Sequence, residues 1–134
     1  MPSPSPKLQQ IARGLLTYEA AAAKGARDSQ TSGVWEKLRL PLGKLIGVNG
    51  FRSILARALA LAAAEVPALR ALEIKADGSL QGLRELQEAD SDASAAGEVA
   101  LVSQLLGLLV TFIGSALTLG LLQDIWPSMD VSDF

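Results

Sequence analysis

The sequence has neither cysteine nor histidine among its 134 residues. Without cysteine the chain cannot form a disulfide, a thiolate nucleophile or a cysteine-ligated metal site. Without histidine it lacks the commonest general base and the commonest metal ligand, which excludes Ser-His-Asp and Cys-His catalytic arrangements within the chain. Any metal site would need oxygen ligands alone. We therefore expect a non-catalytic protein with no cofactor, and nothing in the sequence indicates a small-molecule ligand.

Basic residues are absent from the C-terminal part of the chain. All 12 Lys and Arg residues lie within 1–84 together with six of the 14 acidic residues, which gives this part a net charge of +6. The other eight acidic residues give residues 85–134 a net charge of −8. Such a polarised chain can attract the oppositely charged part of another copy. That attraction would weaken as the salt concentration rises.

Both ends of the chain have the composition of flexible tails. Residues 1–6, MPSPSP, carry proline at alternate positions, which disfavours a helix, and residues 129–134 are short and acidic. Residues 7–128 are expected to form a single helical domain, because their number is typical of one. The first residues show neither the basic nor the apolar region of an export signal, so the cytoplasm is the expected location.

Apolar residues at three- and four-residue spacing predict three amphipathic helices. They cover residues 7–24, 33–46 and 50–65. Pro41 predicts a kink or a restart in the second helix, because proline removes a backbone donor and crowds the preceding turn. The sequence GVNG at 47–50 predicts a turn between the second and third helices.

Residues 72–97 are the most ambiguous part of the chain. Alternating side chains followed by Asp77-Gly78 predict a small β-hairpin or an extended excursion near 72–82. The leucines at 80, 83 and 86 fit a short helix equally well. The acidic, Ser/Ala-rich stretch 87–97 predicts a flexible linker.

Residues 99–123 contain no charged side chain and are long enough to span a membrane. Acidic residues on both flanks and three internal glycines favour a helix buried in a soluble core, or two helices broken near Gly114. A helix that is apolar on every face must be covered on every side. The predicted fold is therefore all-α, a compact bundle of four to six helices around a central apolar C-terminal helix.

Two motifs fail on inspection. Gly43-Lys44 lacks both the upstream glycine and the following Ser or Thr of a phosphate-binding loop. Asp90-x-Asp92 lacks the glycine and the terminal glutamate of an EF-hand calcium loop. A loosened helix and a solvated acidic stretch explain these residues without a ligand.

The basic segment 37–57 resembles in layout a helix-turn-helix, with its basic side chains on and around the second helix. Ser53 falls where that motif usually has an aliphatic residue, and the chain is acidic overall with a pI of about 5.1. Nucleic-acid binding is therefore not favoured. The candidate interaction residues in and beside this segment are Trp35, Lys37, Arg39, Lys44, Arg52 and Arg57. Trp35 could anchor an interface, although its spacing relative to Val34 and Leu38 favours the core.

The leading functional prediction is a helical protein–protein interaction or assembly module, such as an adaptor. It would bind a protein partner or self-associate through its basic N-terminal and acidic C-terminal regions. Two alternatives remain from the sequence. One is a membrane-associated protein that spans the bilayer with 99–123, and the other is a helix-turn-helix module at 37–57.

Overall fold

The computed structural model describes residues 6–22 and 33–126. The predicted tails lie outside these ranges, apart from Pro6, at which the first helix begins. The helices of the described residues are α1 (Pro6–Ala22), α2 (Gly33–Glu65), α3 (Leu83–Ala89), α4 (Ser91–Ile113) and α5 (Ser115–Ile125). A 3₁₀ turn, Pro67–Ala71, and two short strands, β1 (Glu73–Ile74) and β2 (Leu80–Gln81), lie between α2 and α3.

The predicted all-α class is confirmed, and α4 is the central helix. It packs against the 3₁₀ turn and against each of the other four helices. Residues 101–106 of α4 are all buried. Because 3.6 residues complete one turn, six consecutive buried residues mean that the helix is covered on every side over this stretch.

Helix α2 consists of two arms, residues 33–46 and 48–65, which meet at Gly47. This residue has φ 82° and ψ 157°, a backbone conformation that essentially only glycine adopts. Trp35 of the first arm and Leu55 of the second line the same small pocket, so the chain folds back at the glycine. The prediction of a turn over 47–50 was therefore wrong in length, because residues 48–50 are already helical.

Pro41 lies inside the first arm of α2, which is helical on both sides of it. No restart occurs there, contrary to one of the two predicted outcomes. Proline removes one backbone donor, whereas the positive φ of Gly47 changes the direction of the whole chain. The glycine, and not the proline, divides α2.

The uncharged run 99–123 is divided in the same way, at Gly114. Its φ of 88° and ψ of 159° separate α4 from α5. The alternative of two helices broken near this glycine is confirmed. The prediction that the whole run 99–123 forms the central helix was wrong, because the central helix, α4, ends at Ile113. Helix α5 buries Thr118 and Leu122 but leaves Leu117 58% exposed.

The hydroxyl groups of Ser103, Thr111 and Thr118 bond to their own helix backbone, whereas the buried hydroxyl of Ser94 has no hydrogen-bond partner among the described residues. The Ser103 hydroxyl donates to the carbonyl of Val99 at 2.6 Å, and the Thr118 hydroxyl donates to that of Gly114 at 2.9 Å. Burial of an unpaired hydroxyl would be costly. These bonds allow polar residues to sit in otherwise apolar helices.

The β-hairpin predicted near 72–82 is confirmed. Strands β1 and β2 pair antiparallel, with Ile74 opposite Leu80. At the turn the Asp77 carboxylate accepts bonds from the backbone N–H and the hydroxyl of Ser79, at 3.0 and 2.6 Å. A side chain on Gly78 would meet the ring of Phe51, so the turn packs against the second arm of α2.

The predicted linker 87–97 is helical apart from Asp90, so this prediction was wrong. Helix α3 reaches Ala89, and Asp90 caps α4 by accepting a bond from the backbone N–H of Ala93 at 3.0 Å. Such a cap stabilises the helix start by about 1 kcal/mol. Ser94 and Gly97 are buried, while the acidic residues of this stretch, Glu88, Asp90 and Asp92, are exposed. Composition alone does not distinguish this pattern from a solvated linker.

Candidate interaction surface

Trp35, the aromatic member of the sequence-predicted set, lies in the core. It is only 5% exposed, and its indole Nε1 donates to Oε1 of Glu98 at 3.4 Å. This contact joins the first arm of α2 to α4. The position matches the interpretation of Trp35 as a core residue.

Glu98 is half-buried beside this indole. Burial raises the pKa of the Glu98 carboxyl, and the hydrogen bond from Trp35 acts in the opposite direction. A group that loses water disfavours its charged form, which explains the direction. The pair joins the first arm of α2 to α4.

Arg39 lies at the β-turn. Its side chain approaches Gly78, and it lines a pocket with Phe51 and Leu80. Hydrogen bonds from Ser79 lower the pKa of the Asp77 carboxyl, and the positive charge of Arg39 lowers it further. Arg39 therefore has a local role in the charge balance of the hairpin turn.

The remaining basic candidates lie along both arms of α2. Lys37 and Arg57 are exposed, and Arg52 is half-buried. Within residues 6–22 and 33–126, the buried Nε of Arg52 has no hydrogen-bond partner. Lys44 borders a wide groove.

The helix-turn-helix arrangement, which was an alternative interpretation of 37–57, is not the one observed. That motif joins its two helices through a turn of three or four residues. Here a single residue, Gly47, separates the arms. Arg52, near the start of the second arm, is half-buried, whereas a base-reading helix must present such side chains to DNA.

The main open surface of interest is a groove between the first arm of α2 and α5, with a volume of about 440 Å³. Eight residues line it: Pro41, Lys44, Leu45, Ala116, Leu117, Gly120, Leu121 and Asp124. The five from α5 fall in two rows with a spacing of four residues. Positions four apart share one face of a helix, so this whole face of α5 borders the groove. We call these eight residues the α2–α5 groove.

Large apolar side chains are exposed in and near the α2–α5 groove. Leu45 is 51% exposed and Leu117 is 58% exposed. Three others are exposed as well: Leu40, Val48 and Phe112. All five lie within seven residues of Gly47 or Gly114, where α2 and the α4–α5 segment fold back. Clustered exposed apolar groups are typical of binding surfaces.

Lys44 and Asp124 give the two walls of the groove opposite charges. Lys44 lies on the α2 wall and Asp124 lies on the α5 wall, and both side chains are exposed. Neither forms an ion pair with another residue of the described ranges. The groove therefore offers an apolar floor with one free cation and one free anion at its borders.

The α5 wall was not identified by sequence reasoning. The uncharged run was expected to be covered on all sides, which hid the fact that one apolar face of α5 remains open. The rule that every apolar face of a helix must be covered, applied to α5 alone, would have indicated this open face. Leu117 and Leu121 form one apolar row while Thr118 and Leu122 form another, and a single small bundle has to cover both.

The described residues contain no group of three or more Asp or Glu side chains that could hold a metal ion. Comparison with protein-family models, with curated proteins and with solved structures found no match for this chain.

Proposed function

We propose that this protein is a non-catalytic interaction and assembly module, and that the α2–α5 groove is its binding surface. The observation that carries the proposal is the open apolar face of α5, on which Leu117 is more than half exposed. Transfer of such surface from water to a partner is favourable by about 25 cal/mol for each Å² of apolar area. The same groove carries no cluster of titratable side chains that would indicate catalysis.

Self-association is the form of assembly that the charge distribution favours. The chain carries +6 in residues 1–84 and −8 in residues 85–134, so two copies can bring unlike parts together. The groove contains one charged residue from each part, Lys44 from the basic part and Asp124 from the acidic part. A cytoplasmic module of this kind would act by holding protein chains together.

The test is the absolute mass of detergent-free protein, measured by light scattering after size exclusion over a range of protein and salt concentrations. We expect a mass above the 14.0 kDa of the monomer that decreases as salt screens the charges. Leu117→Ala should lower the mass towards that of the monomer. A wild-type protein that stays at monomer mass at its highest soluble concentration would contradict self-assembly.

Membrane attachment is the second candidate function. Among the described residues two helical segments, Lys37–Glu65 and Ser91–Ile113, are long and apolar enough to cross a bilayer by length and composition, although the first is divided at Gly47. The central helix of a soluble bundle meets the same criteria, and the second segment belongs to α4, which is covered by other helices. The observation that supports membrane attachment is the exposed side chain of Phe112, near the break at Gly114.

Solubility separates the two candidates. An assembly module should remain in the supernatant without detergent and should not sediment with phospholipid vesicles. Extraction that requires detergent, or quantitative co-sedimentation with vesicles, would support membrane attachment and contradict the first proposal.

A further inference from the structure

We infer that the α2–α5 groove binds a second copy of this chain in a two-fold symmetric dimer, in which Lys44 of each copy pairs with Asp124 of the other. This inference rests on the proposed function and adds the occupant of the groove, the symmetry and the two residues that set the register.

The charges of the groove support a two-fold partner. In a two-fold interface the same patch meets itself, so that if residue i contacts residue j of the second copy, then j also contacts i. A patch with charges of one sign would repel its own copy. Here one exposed cation and one exposed anion border opposite walls, and neither has an ion-pair partner among the described residues. The patch is therefore complementary to itself.

The apolar residues of the groove support the same arrangement. Leu45 follows Lys44 on one wall, and Leu117 lies on the other, both more than half exposed. Gly120 lies in the same face of α5, and a side-chain carbon added there would meet no atom within 4 Å. This open space can receive a leucine of the second copy, so each copy offers both the projecting side chains and the recess that takes them.

Charge reversal in separate chains tests the reciprocal pairing. Lys44→Glu places two acids at each contact of its own dimer, and Asp124→Lys places two bases there. Each variant alone should dimerise about tenfold more weakly than the wild type, because two exposed pairs change from attraction to repulsion. An equimolar mixture of the two variants restores unlike charges at both contacts, one pair reversed and one pair native. The mixture should therefore form a heterodimer with nearly wild-type affinity.

Sedimentation of the two variants, separately and mixed, measures these affinities. Because the chain contains no native cysteine, one introduced cysteine in each variant can carry a fluorophore that reports heterodimer formation directly. The matched controls are Arg70→Glu and Glu73→Lys, which make the same charge changes at exposed positions outside the groove. We expect both control variants to dimerise as the wild type does.

The outcomes separate this inference from the proposed function. If the wild type assembles but the mixture stays as weak as either variant alone, the reciprocal Lys44–Asp124 contact is wrong and the assembly module stands. Dimerisation of a chain that carries both substitutions is the further comparison. If its affinity recovers while that of the mixture does not, Lys44 and Asp124 pair within a single chain and the inference is overturned. A wild-type monomer contradicts self-association and with it the symmetric dimer, and binding of that monomer to phospholipid vesicles would assign the groove to lipid.

Discussion

The indole Nε1 of Trp35 donates a hydrogen bond of 3.4 Å to Oε1 of Glu98, a residue 63 positions later in the chain. The bond joins α2 to the central helix next to a carboxyl group that burial keeps from water. Ionised Glu98 therefore has less contact with water in the folded protein than in the unfolded chain, and the bond from the indole offsets part of that loss. Protonation of Glu98 is thus one contribution to the pH dependence of folding stability.

Glu98→Gln is expected to raise the free energy of unfolding at neutral pH. The folded-state pKa of Glu98 lies above its ordinary value of 4.5 because burial disfavours the carboxylate. A raised pKa means that the folded state binds the proton more tightly, so the stability from this group is full below the ordinary value and is lost as pH rises through the folded pKa. Glutamine keeps an oxygen acceptor for Trp35 and has no charge to desolvate.

Urea unfolding of the wild type and of Glu98→Gln from about pH 4 to about pH 8 measures this difference. The gain from the substitution should grow with pH and then level off. Glu73→Gln, at an exposed position of β1, is the matched control and should leave the pH profile unchanged. Parallel profiles of Glu98→Gln and the wild type would contradict the assignment.

Gly97→Ala is expected to destabilise the protein by about 1–2 kcal/mol, since overpacking of the core outweighs the gain in helix propensity. A side-chain carbon at position 97 would lie 2.6 Å from Cδ2 and 3.0 Å from Cγ of Leu69, whose side chain is fully buried. Gly43→Ala is the control in α2, where the added carbon meets no atom within 4 Å. That change should stabilise by up to about 1 kcal/mol.

Denaturant unfolding of the two variants checks the sign of each effect. The Leu69→Ala substitution should cost less in the Gly97→Ala background than in the wild type, because it removes the clash. Additive effects of the two substitutions would mean that Leu69 and residue 97 do not compete for the same space.

The sequence predicted the class of fold and a turn that begins at Gly47, and it offered a break near Gly114 as one alternative, because glycine leaves a strong local signal. It did not predict which face of α5 stays open. Leu117 and Leu122 are the same residue type in the same helix, yet one is 58% exposed and the other is fully buried. That difference depends on the direction that Gly114 gives to α5, a property of the packed molecule. The burial of Ser94 and Gly97 was not predicted for a similar reason, since residues distant in the sequence pack over this part of α4, as Leu69 does over Gly97.

Gly114→Ala is expected to destabilise the protein by about 1–3 kcal/mol, the cost of holding a residue with a side chain in a backbone region reserved for glycine. The φ of 88° and ψ of 159° at this residue set the direction of α5. Gly120→Ala is the control, because neither position has an atom within 4 Å of an added carbon. Gly120 lies inside α5, so alanine there should stabilise by up to about 1 kcal/mol.

Thermal and denaturant unfolding compare Gly114→Ala with Gly120→Ala. The two changes add the same atom in equally open space, so a difference in stability isolates the backbone conformation. Equal effects would show that position 114 tolerates a side chain and that its glycine is not required for the break.

Leu117→Ala and Leu122→Ala separate the surface of α5 from its core. Leu122 is fully buried, so its truncation should lower the free energy of unfolding by about 2–5 kcal/mol. Leu117 is already more than half exposed, so its truncation should change the monomer's stability by no more than about 0.5 kcal/mol. Its effect should instead be on self-association, which we expect to weaken by about fivefold or more, as for a central interface residue.

Unfolding under dilute conditions, where chains are monomeric, isolates the first effect, and sedimentation at high concentration isolates the second. Leu122→Ala should have the larger effect on the free energy of unfolding, and Leu117→Ala should have the larger effect on self-association. If Leu117→Ala lowers monomer stability as much as Leu122→Ala does, the side chain serves the fold and the groove is no binding surface. If it changes neither stability nor mass, the open face of α5 takes no part in assembly.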